Sequence, residues 1–105
     1  MAAGTASGGT YHSTVAVGGT PELVTLDLTG GDTVLVLNRD GTNPVFFTVG
    51  STSVAPVAAS STAVGAHVVP VNGSRVINFT IPTGSQLKLS VVSAGTGAYD
   101  VELLG

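Results

Sequence analysis

The sequence predicts an all-β fold: a single-domain antiparallel β-sandwich or jelly roll of about eight short strands. Three observations predict it. Apolar and polar residues alternate over short windows. Clusters of Gly, Asn, Asp and Pro punctuate the chain at the spacing of strand-joining turns. No window sustains a 3.6-residue period, and Ala, Glu, Lys and Gln never gather into an amphipathic stripe.

Taken in order, residues 1–10 are Gly, Ala, Ser and Thr apart from Met1 and offer nothing to bury, which predicts a flexible arm. The sandwich then occupies 11–105. A first strand covers residues 11–17 and ends at Gly18-Gly19-Thr20-Pro21. In 22–28, Val24, Leu26 and Leu28 share one face and Leu23, Thr25 and Asp27 the other, the pattern of a half-buried strand, and Gly30-Gly31 turns the chain. Val34-Leu35-Val36-Leu37 is apolar on both faces, which predicts a central strand covered on each side, and Asp40-Gly41 is a strong turn signal after it. Val45, Phe47 and Val49 alternate with Phe46 and Thr48 in the next strand, where Pro44 at the start cannot donate a ladder hydrogen bond.

Residues 50–66 are small and uncharged, with Pro56 discouraging regular structure, so they form a long connection of a length that is often functional or held by a partner. Strands resume at 67–71, 75–81, 86–93 and 99–104, separated by Asn72-Gly73, Pro82-Thr83-Gly84 and Gly95-Thr96-Gly97. Their inward sets are Ile77, Phe79 and Ile81, then Leu87, Leu89 and Val91, then Tyr99, Val101 and Leu103.

Composition narrows the function classes. Only 9% of the 105 residues are charged, against about 25% in an ordinary domain. The longest apolar runs fall far short of the roughly 20 residues of a membrane-spanning helix, and the amino terminus lacks a secretory pattern, so the expected compartment of synthesis is a cytoplasm. With no Cys there is no disulfide, thiolate metal site or cysteine nucleophile. Arg39, Arg75 and Lys88 do not cluster and the net charge is −3, so no footprint for nucleic acid exists.

Catalysis finds little to work with. His12 and His67 are isolated on predicted strands beside small or apolar neighbours, as structural histidines are. Asp100 and Glu102 share a strand face, a spacing that in principle suits a hard cation, yet no calcium-loop pattern accompanies them and a solvated face is the more common reason for such a pair. Gly95-Thr96-Gly97 lacks the third glycine and the helix of a dinucleotide fingerprint, and no Gly-x-Ser-x-Gly elbow occurs. Asn72-Gly73-Ser74 and Asn78-Phe79-Thr80 match a glycosylation pattern by coincidence. The expectation is a non-enzymatic protein without cofactor or metal.

What stands out is the surface. A free soluble protein keeps charge to stay dispersed, whereas one covered by neighbours has less need of it. The contact residues expected on that basis are Thr10 and Tyr11 where the arm joins the first strand, Phe46, which must face away from Phe47, and Val54 and Pro56 in the long connection. Arg39 and Arg75 are the candidate fasteners to a partner's carboxylates.

The stretch Gly31-Asp32-Thr33-Val34-Leu35-Val36-Leu37-Asn38-Arg39-Asp40-Gly41-Thr42-Asn43-Pro44-Val45-Phe46-Phe47-Thr48-Val49, with Val68-Val69-Pro70 and Ser93-Ala94-Gly95-Thr96, resembles a family of small all-β virion proteins of tailed bacteriophages, common among phages of actinobacteria. The resemblance covers roughly residues 25–104 and brings no catalytic residues with it. It implies a homotrimeric decoration protein on the outer capsid surface of the virion, whose partner is the major capsid protein and whose role is to cement neighbouring capsomers. A tail-associated or carbohydrate-binding module is the alternative, and it requires two or three exposed aromatics at one end of the sandwich. An enzyme would require His67 to meet Asp100 or Glu102.

Overall fold

A computed structural model describes residues 3–7, 10–14, 18–29, 33–52, 54–79 and 85–103, without the side chains of 3–7, 10–14, 27–29 and 103. All regular structure among them is strand: β1 (Ala3–Ser7), β2 (Thr10–Thr14), β3 (Glu22–Thr29), β4 (Thr33–Asn38), β5 (Val45–Ser51), β6 (His67–Val69), β7 (Ser74–Asn78), β8 (Gln86–Ser93) and β9 (Ala98–Leu103). None of the described residues forms a helix long and apolar enough to cross a membrane.

The strands form two sheets, one in the order β1-β3-β8-β5-β6 and one in the order β2-β9-β4-β7. Alternation decides which side chains meet between them. Val24 and Leu26 of β3, Val45 and Phe47 of β5, Leu87, Leu89 and Val91 of β8 and Val69 of β6 face Val34 and Val36 of β4 and Tyr99 and Val101 of β9, in one buried cluster. Val49, Ile77 and Phe79 pack against its rim. Fully burying one such side chain contributes roughly 1.5–3 kcal/mol.

Every pairing is antiparallel except β1 with β3, which is parallel with Ala3 opposite Leu23. Within the stretch 1–10, expected as a flexible arm, Ala3–Ser7 pair their backbone with β3 and Thr10 pairs with Glu102; small side chains leave no pattern, but their N–H and C=O groups ladder like any others. The expected strand over 11–17 is seen as β2, with 15–17 outside the described residues. Gly30-Gly31, Ile81 and Pro82-Thr83-Gly84 also lie outside them, as do the side chains of Leu28 and Leu103.

Two expectations change. The run Val34-Leu35-Val36-Leu37 is central in its sheet, but it is covered on one face only: Val34 and Val36 are buried, while Leu35 and Leu37 are half-buried on the outer face. Asp100 and Glu102 do share the outer face of β9, yet Asp100 is 4% exposed, because β9 is flanked by β2 and β4 and Arg39 lies on its carboxylate.

Candidate binding surface

The long connection is an outer layer on the five-stranded sheet. The pleat turns Phe46, Thr48 and Gly50 of β5 and Lys88, Ser90 and Val92 of β8 away from the core, opposite one another in register. Thr48, Ser90 and Val92 are nevertheless buried. Their cover is the loop: the Thr48 hydroxyl donates to the Val57 carbonyl, and the Ala59 N–H donates to Ser90 Oγ at 2.8 Å. Short hydroxyl side chains on an outward face therefore act as tethers for loop backbone that would otherwise need water. A Cβ on Gly50 would come within 2.5 Å of both the Val54 carbonyl oxygen and the Pro56 nitrogen, so glycine is what permits the close approach. Further along, Ala59 is buried on the sheet.

The loop turns its remaining apolar side chains outward. The exposed large hydrophobic residues among those described are Val54, Val57, Val64, Val68, Val71 and Val76, up to 85% for Val64. All six lie in a single part of the chain, and residues 41–74 contain no Asp, Glu, Lys or Arg. This part includes β6, while the last of the six valines lies on β7, and these are terminal strands of their respective sheets. Val76 stands opposite Leu35 and so faces the outer side of the four-stranded sheet; the other five valines combine exposure with a charge-free segment and the β6 edge, the features natural proteins usually blunt with charge.

Between those edges sit His67 and Arg75. His67 stands opposite Phe47 in the ladder, with the two rings 5.1 Å apart. Desolvation, and then the Arg75 guanidinium, push the His67 pKa below its usual 6.5.

The turn that joins β6 to β7 is knitted by amides. Asn38, 3% exposed, donates its Nδ2 to the carbonyls of Asn43 at 2.9 Å, Val69 at 3.3 Å and Pro70 at 3.2 Å, and accepts the Asp40 N–H at 2.9 Å. This joins the loop after β4 to the turn Pro70-Val71-Asn72-Gly73, which closes with Gly73 N–H on the Pro70 carbonyl and holds Asn72 at φ 53°. Asn tolerates that left-handed position.

Of the residues singled out from sequence, Val54 is exposed on the apolar surface, and Pro56 is half-buried, seated over Gly50. Phe46 is half-buried on the outer face, between Val68 and Val92 of the flanking strands. Arg75 is exposed on β7. Arg39 lies on the other sheet's outer face, its Nε donating to Asp100 Oδ2 at 2.5 Å with 60% of the side chain exposed. Thr10 and Tyr11 pair their backbone with Glu102 and Val101, and their side chains lie outside the described residues. Val54, Pro56 and Phe46 thus belong to the loop-covered sheet, whereas Arg39, Thr10, Tyr11 and Arg75 belong to the other sheet, Arg75 on its terminal strand β7. Val57 and Val64 lie within the long connection 50–66 that the sequence offers as a contact element, whereas sequence reasoning missed Val68, Val71 and Val76. Their common signal is visible once noticed: each lies on or just past a stretch without charge.

His67 does not meet Asp100: the two are in different sheets, and an Asp100 oxygen is held by Arg39. Among the described residues no group of three or more His, Asp or Glu is placed to hold a metal ion.

No protein-family model matches this chain, and no curated protein does. Solved structures do. The pre-peptidase C-terminal domain of a collagenase from Bacillus anthracis superposes with a TM-score of 0.52 at 15% identity, over 97% of this chain and 94% of that one. CorA, a surface-associated copper-binding protein of Methylomicrobium album BG8, superposes with a TM-score of 0.52 at 11% identity, over 98% of this chain and 99% of its own. At these identities the likeness is one of fold.

Proposed function

We propose that this β-sandwich is a non-enzymatic binding module whose valine-rich surface docks on the outside of an assembled bacteriophage capsid and cements neighbouring capsomers. The observation that carries the reading is the charge-free segment 41–74, on which Val54, Val57, Val64, Val68 and Val71 are exposed, with β6 a terminal strand of its sheet. A monomer displaying such a surface to water risks edge-to-edge association, whereas a protein spending its working life against a shell gains contact area from it. Repeated contacts across a lattice add avidity, so each one can be modest.

The major capsid protein is the partner in this reading, and a homotrimer is the assembly unit. Arg75 at the rim is the cation placed to meet a shell carboxylate. The sequence resemblance to phage decoration proteins supports the same assignment. The carbohydrate-binding alternative is less well supported, because Phe47 and Tyr99 are buried and Phe46 and Phe79 half-buried, leaving no exposed aromatic platform among the described side chains. Immunogold imaging of tailed-phage virions carrying this chain tests the proposal. Label over the head lattice is expected; label confined to the tail overturns the cementing role.

A further inference from the structure

We propose that the cavity between residues 55–58 and the outer face of β3 and β8 binds a small monocarboxylate with a compact apolar body. This goes beyond the docking surface and does not rest on it. The floor of the cavity is Leu23, Lys88 and Ser90, and the roof is Ala55, Pro56 and Ala58. Register explains the floor: Leu23 stands opposite Ser90 and Thr25 opposite Lys88, so all four side chains leave the same face of the sheet. The tethers already described explain the roof. Gly50 lets Pro56 descend onto the sheet, and the bonds from Thr48 to Val57 and from Ala59 to Ser90 fix the backbone on either side of Ala58.

The cavity is about 230 Å³. An apolar cavity of ~150 Å³ is enough for benzene, so this one has room for a six-carbon ring and a short side arm. Its lining sets the chemistry. Four of the six lining residues are apolar, and the single charged one is Lys88, the chain's only lysine. One ammonium matches one carboxylate, and among the described side chains no acidic residue lines the cavity to favour a cationic ligand. The Ser90 hydroxyl accepts from Ala59 and carries an O–H that can donate to a carboxylate oxygen.

The probe is 3-phenylpropionate, titrated into the full chain by nuclear magnetic resonance, with 3-phenylpropan-1-ol and 3-phenylpropylamine as uncharged and cationic counterparts. Saturable shifts at the amides of Leu23, Ala58 and Ser90 are expected, with a Kd on the order of 1 mM for so small a ligand. The alcohol should bind roughly fivefold more weakly, and the amine not at all. Lys88→Gln should bring the acid down to the alcohol's affinity, and Ala58→Leu should fill the space and abolish both. Circular dichroism checks that each variant is folded. No saturable shift at these amides overturns the proposal, as does an affinity for the acid that Lys88→Gln leaves unchanged.

Discussion

The Tyr99 hydroxyl donates to Glu22 Oε2 at 2.8 Å across the interior, joining the last strand of one sheet to the start of a strand in the other. Tyr99 is fully buried and Glu22 is 4% exposed. Glu22 occupies the same alternating set as Val24 and Leu26, so the strand delivers a carboxylate to the edge of the core, where the phenol meets it. Tyr99→Phe keeps the ring and removes this bond, and should cost about 1.5–3 kcal/mol. Glu22→Gln retains an acceptor and should cost less. Urea denaturation checks both, with the midpoint falling and the slope unchanged.

Asn38 is the second buried polar anchor. Three carbonyls and one N–H converge on its amide. Asn38→Ala should destabilise by about 2 kcal/mol or more, and Asn38→Asp should be at least as harmful, since a carboxylate set against the same carbonyls cannot donate to them. Thermal unfolding of the two variants beside the native chain measures the order.

Gly50 separates loop docking from core folding. Gly50→Ala introduces a methyl where the Val54 oxygen and Pro56 nitrogen already lie. The expected result is a loop lifted from the sheet and faster proteolysis within residues 52–66, with the β-sheet circular dichroism retained. Loss of all structure instead would show that the loop is part of the folding core.

These three cases also show what was legible in the sequence. Alternation identified the buried faces of β3, β5, β8 and β9, because water on one side and core on the other impose a period of two. It misread the outer faces. Thr48 and Ser90 look like solvated positions in the pattern, yet they hold the loop, and Leu35 and Leu37 look buried, yet they are half-buried on an outer face. The pairing of Arg39 with Asp100 is invisible for a simpler reason: it joins residues far apart in the chain, and only the register of β4 on β9 brings them together. The parallel pairing of β1 left no trace because Ala, Gly, Thr and Ser carry no hydrophobic signature.

His67 makes stability depend on pH with a definite sign. Its folded pKa lies below the unfolded 6.5, through desolvation and then the Arg75 charge. Between those two values the unfolded chain binds more protons, so stability falls as pH drops through that window. The contribution is whole above the unfolded value and lost below the folded one. His67→Gln should flatten this part of the profile, measured as the difference in urea midpoint between the variant and the native chain at about pH 7.5 and about pH 5.5. The same slope in both would exclude His67 as its source.

The central claim is that the charge-free valine surface is a capsid contact. Its most direct measurement titrates the chain, native or carrying Val54→Asp with Val64→Asp, onto heads assembled from the major capsid protein alone, followed by sedimentation and heating. Both valines are highly exposed, at 70% and 85%, so the variant should fold normally. The native chain should co-sediment to saturation and raise the temperature at which heads disrupt, and the variant should lose at least tenfold in binding. Absence of native co-sedimentation, or equal binding by the variant, would contradict the claim.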